Sequence, residues 1–130
     1  GRSTVTEAYA QIVADLEQSI ALLPTSFDPV MHASYPSYRF RATKATSIAL
    51  LAKVYFQQGS QNGYNEALKA INRVIGSTPG AITATPETGG RVYALQADVK
   101  IPFNNVGFST APANSEEILR LVNNTVAQHH

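Results

Sequence analysis

Apolar residues recur at three- and four-residue spacing from the start of the chain. Val5, Tyr9, Ile12, Leu16, Ile20 and Leu23 form one stripe, widened by Ala8 and Val13. Glu7, Gln11, Asp15 and Gln18 fall elsewhere around the axis. This is the period of an amphipathic helix. Thr4 followed by Glu7 reads as a capping box, in which each side chain serves the other's backbone N–H. Pro24 ends the pattern, because it has no N–H and its ring clashes with a continuing turn. A helix from Val5 to Leu23 is therefore predicted within a first unit at 4–24.

Residues 25–42 show no period and contain Pro29 and Pro36, which predicts a loop. Loops this long in compact domains are uncommon and often functional. A second helix is predicted from Thr43 to Gln58, punctuated by Gly59. Ile48, Leu50, Leu51, Val54, Tyr55 and Phe56 nearly encircle it and leave Thr46, Lys53 and Gln57 as a narrow polar stripe. A helix that apolar is expected to be covered on more than one side. The third helix is predicted from Tyr64 to Ile75, before Gly76, with Glu66 in its first turn and Arg73 in its last, as the macrodipole favours. The glycine-flanked stretch from Gly59 to Gly63 reads as the turn between them.

The last unit, 80–130, is irregular and rich in Gly, Pro, Thr and Ala. Arg91 to Leu95 suits a short helix or an extended piece. Residues 115–126 suit a helix through Ile118, Leu119, Val122 and Val126, or a short strand at 118–122. The fold class expected is mainly all-α: an antiparallel helix scaffold with a loop-rich C-terminal part and room for one short strand.

The unit 43–79 fits the tetratricopeptide pattern, which needs small residues where two antiparallel helices touch and large ones in the gaps. Leu51 and Ala52 take the large-then-small pair of the first helix, and Tyr55 its aromatic position. Ala67 takes the small position of the second helix and Pro79 the terminal proline. The usual Trp is replaced by Ile48, and an aromatic by Ile71. An ordinary antiparallel helix hairpin is the plainer alternative.

The wording of the sequence is more specific. Thr4 to Glu17 with Leu22-Leu-Pro24, Phe40-Arg-Ala-Thr-Lys-Ala-Thr-Ser-Ile-Ala-Leu-Leu-Ala-Lys-Val-Tyr-Phe56 and Tyr64 to Ile75 resemble the SusD/RagB family of Bacteroidetes. The entry to the second helix departs from the family's glycine-containing form at Phe40 and Thr46. Asn114-Ser-Glu-Glu-Ile-Leu-Arg120 looks like a later family element, usually extended. Tyr93, Leu95 and Phe103 resemble aromatic and leucine positions between these stretches. The resemblance implies a lipid-anchored lipoprotein at the surface of the outer membrane. Such a protein captures glycans, or sometimes peptides, for a TonB-dependent (SusC-like) transporter. It also implies that 1–130 is one fragment of a larger SusD-like domain, serving mainly as helical scaffold. The anchoring cysteine and much of the ligand-binding part would then lie outside these residues. The alternative is a tetratricopeptide-type adaptor for protein–protein interaction.

Composition narrows the function further. The net charge of +1 gives no reason to expect nucleic acid or an anionic membrane. Charged residues make up 15%, low against about 25% for a typical soluble domain. That favours a surface partly covered by other protein. The chain has no cysteine, so it offers no disulfide, thiolate metal site or cysteine nucleophile. His32 is the only histidine away from the C-terminus, and no catalytic motif or phosphate loop is present. Glu116 and Glu117 are adjacent and point apart in a helix or a strand, a poor acid/base pair. No enzyme activity, metal or cofactor is expected.

One constellation could hold a ligand. Tyr35, Tyr38 and Phe40 cluster in the 25–42 loop, with Arg39 between them. Aromatic faces stack on the C–H surface of sugar rings while polar neighbours bond the hydroxyls. Tyr35, Tyr38 and Arg39 are therefore the candidate ligand contacts, the alternative being that these rings pin the loop to the helices or meet the transporter.

Overall fold

The computed structural model describes residues 1–26, 41–95 and Ile118. Three helices account for most of them: α1 (Val5–Leu22), α2 (Lys44–Gln57) and α3 (Gln61–Ile75). A single 3₁₀ turn follows at Pro86–Thr88. No strand occurs among the described residues. The tyrosine-leucine stretch from Arg91 to Leu95 is irregular backbone. The region 115–126 lies outside the described residues, apart from Ile118, whose side chain packs against the core.

The capping box forms as the sequence predicts. Glu7 N–H donates to Thr4 Oγ1 at 3.2 Å, and Thr4 N–H donates to Glu7 Oε2 at 2.7 Å. The face that α1 buries is rotated from the expected stripe. Val13, Leu16 and Ile20 meet the core, whereas Val5 and Ile12 are exposed. The two sets are both compatible with a 3.6-residue period, and packing against α2 selects between them.

Helix α2 lies between α1 and α3 and packs against both. Its start lies beside the end of α1. Lys44 N–H donates to Pro24 O at 3.0 Å, and Lys44 Nζ donates to Ile20 O and Ala21 O. A cation on the last carbonyls of a helix suits the negative end of its dipole. One turn on, Ser19 Oγ and Ser47 Oγ are hydrogen-bonded at 2.8 Å, so α1 and α2 run antiparallel. Ala45, Ile48, Leu51 and Ala52 supply the α2 side of the core and Ala67, Ala70 and Val74 the α3 side. These alanines let the backbones approach, as the tetratricopeptide-type hairpin requires.

One expectation about the hairpin needs correction: α3 begins at Gln61 rather than Tyr64, so residues 61–63 of the expected turn are helical. Ser60 is the N-cap: its Oγ accepts from Gly63 N–H at 3.0 Å. Only Gln58, Gly59 and Ser60 connect the helices, with Gly59 at φ 67° to reverse the chain. Glu66 therefore sits beyond the first turn, where it pairs with Lys69 at 2.7 Å. As expected, α2 is covered on more than one side, by α1 and α3, while part of its surface stays open among the described residues. Ile48 is fully buried, but Leu50 is 50% and Phe56 61% exposed.

The segment after α3 folds back onto it. Thr85 Oγ1 donates to Arg73 O, and buried Thr88 donates its hydroxyl to Thr85 O at 2.9 Å and Arg91 O at 2.7 Å. This seats Tyr93 in the core. Arg73 ties the assembly together. It makes a two-pronged contact with Glu87, at 2.9 and 3.0 Å, and reaches Glu17 on α1 at 3.1 Å. Those contacts hold its guanidinium above the ordinary arginine range, the bond to Glu87 being the largest cause.

Candidate functional site

The sequence-selected contacts Tyr35, Tyr38 and Arg39 lie outside the described residues, as does His32. The described flanks of their loop are nevertheless held together. The 3.0 Å bond from Lys44 N–H to Pro24 O closes its base. Thr25 is packed against Gly89, where an added Cβ would stand 2.9 Å from Thr25 Oγ1. The described flanks of the 25–42 loop thus meet at the end of the α1–α2 pair at which α1 stops and α2 starts.

At the opposite end of the same pair lies a half-open cleft of about 490 Å³. Val5, Thr6, Tyr9, Ala10 and Val13 of α1 form one wall. Tyr55 and Gln58, at the end of α2, and Asn62, in the first turn of α3, form the other. The wall exists because α3 starts early. An added Cβ on Gly63 would lie 2.6 Å from Tyr55 O, so only glycine lets this turn of α3 seat against the end of α2. No lining side chain is charged at neutral pH. Burial, then the carboxylates of Glu66 and Glu17, push the Tyr55 phenol above its ordinary range, so it remains an O–H donor. The sequence reading missed this cleft because its lining is drawn from three helices. Tyr9 and Tyr55 were legible only as core positions.

A second, apolar groove lies between α2 and α3. Ala52, Phe56, Tyr64, Ala67, Leu68 and Ile71 line it, with Lys53 at its rim. The Phe56 and Tyr64 rings stand 5.2 Å apart and tilted. This is the face that the encircling apolar pattern of α2 foreshadows. Among the described residues no group of three His, Asp or Glu side chains could hold a metal ion. No helix among them is long and apolar enough to cross a membrane.

Residues 1–56 match the family model SusD-like, described as starch-binding and associating with the outer membrane. Over this stretch the chain is similar to that family. The match takes in α1, the 25–42 loop and α2 to one residue short of its end. It includes both the candidate aromatic loop and the α1 wall of the cleft. Within the matched segment, the Arg-Ala-Thr-Lys stretch at 41–44 has a clear structural use. Thr43 is the buried N-cap of α2, and Lys44 closes off the end of α1. No curated protein and no solved structure matches the chain.

Proposed function

We propose that this protein captures a starch-type glycan, or a related nutrient, at the bacterial outer membrane. The match of residues 1–56 to a starch-binding, outer-membrane-associated family carries this reading. The protein acts by binding, without turnover. In this reading its helices form the scaffold, and Tyr35, Tyr38 and Arg39 contact the ligand. The proposed partner is a TonB-dependent, SusC-like transporter, to which the captured glycan passes. The protein is surface-exposed and held by a lipid anchor carried outside these residues. The low content of charged side chains and the open α2–α3 groove support a scaffold partly covered by other protein.

The test is made in the source bacterium with an affinity-tagged protein. It should fractionate with the outer membrane, be cleaved by protease added to intact cells, and co-purify with a TonB-dependent transporter from detergent extracts. Tyr35→Ala with Tyr38→Ala should weaken glycan binding while leaving that association intact. Recovery in the cytosol, or purification with no transporter, would contradict the assignment.

A further inference from the structure

The cleft between α1 and the α2–α3 turn has a composition that packing alone does not require. Ala10 and Val13 give it apolar lining, and it carries two phenols, Tyr9 from α1 and Tyr55 from α2. Around them are the Thr6 hydroxyl and the Gln58 and Asn62 carboxamides. No hydrogen bond joins the Gln58 or Asn62 side chains to other described residues. Hydroxyls and carboxamides each both donate and accept, which matches the vicinal hydroxyls of a sugar. Rings beside apolar side chains match the C–H faces of the same molecule. The lack of charge in the lining disfavours anionic or cationic ligands. The volume of about 490 Å³ falls within the range of small-molecule sites, about 300–1,000 Å³.

We propose that this cleft is a binding subsite for a neutral sugar ring, built without Tyr35, Tyr38 or Arg39. Tyr9 and Tyr55 supply the stacking faces, and Gln58 and Asn62 bond the hydroxyls. The inference rests on the glycan-capture reading for its ligand class and adds a location to it.

The experiment is a titration of the ¹⁵N-labelled chain with maltoheptaose, followed by backbone and side-chain amide shifts. Binding should move the Gln58 and Asn62 carboxamide signals and the Tyr9 amide. Gln58→Ala and Asn62→Ala, which leave the core intact, should each weaken binding several-fold, and Tyr9→Ala about tenfold. Shifts confined to the 25–42 loop, with unchanged affinity in these variants, would overturn the subsite and leave glycan capture standing. No shift in the cleft with maltoheptaose, cellohexaose or xylohexaose would also overturn it. So would a neutral peptide that moves these signals when the sugars do not. Loss of starch binding by the whole protein would instead remove the reading beneath it.

Discussion

Gly63 sits against the Tyr55 carbonyl so closely that a methyl group in place of its hydrogen would lie 2.6 Å from the oxygen. This contact sets how α3 leaves the turn, and with it the far wall of the α1 cleft. Gly63→Ala should therefore be destabilising even though alanine is the better helix former. Overpacking costs about 1–3 kcal/mol, offset by about 1 kcal/mol of helix propensity. A net loss of up to about 2 kcal/mol is expected in urea unfolding, together with shifted Asn62 and Gln58 amide signals.

The two sides of α2 should respond differently to truncation. Ile48 is fully buried in the core, so Ile48→Ala should cost about 2–5 kcal/mol. Leu50 faces outward, and Leu50→Ala should stay within about 0.5 kcal/mol in the isolated chain. Parallel urea midpoints check this. A large loss at Leu50 would mean that the 96–130 stretch or a second molecule covers that face.

Much of the helical frame was legible from spacing alone. Thr4 and Glu7 announced the start of α1, and the alanines at 52 and 67 marked the helix contact. The errors have physical causes. Ser60 was a cap hidden in a Gly-Ser-Gln-Asn-Gly string that reads as a turn, so the start of α3 was placed a turn late. Val5 and Ile12 share the helical period with Val13, and only the partner helix decides which of them is buried. The Arg73 contacts with Glu17 and Glu87 join residues far apart in sequence, which no local pattern reveals. The candidate aromatic loop was legible as a cluster, whereas the cleft was not, because three helices each contribute a few of its residues.

Arg73 should be coupled to Glu87 more strongly than to Glu17. The Glu87 contact is two-pronged, while both reaching carboxylates are partly exposed and screened. Double-mutant cycles should give about 1 kcal/mol for Arg73–Glu87 and less for Arg73–Glu17, both shrinking with added salt. Arg73→Lys should not restore the former, because an ammonium cannot reproduce the forked contact.

Acid should loosen the start of α1. The Thr4 backbone bond, then the Thr4 hydroxyl, hold the Glu7 carboxyl below its ordinary range. A carboxyl depressed in the folded state stabilises above its unfolded pKa and loses that contribution as pH falls through the folded one. Amide exchange in the first turn of α1 should therefore quicken, relative to the intrinsic rate, on acidification below the ordinary glutamate range. Glu7→Gln should flatten that dependence while keeping a capping side chain.

The central claim is glycan capture, and the most direct measurement is migration of the purified native protein through a gel containing soluble starch. Retardation relative to a starch-free gel, reversed by added maltooligosaccharide, is the predicted result. Equal migration in starch and in every other neutral polysaccharide tried would contradict the account.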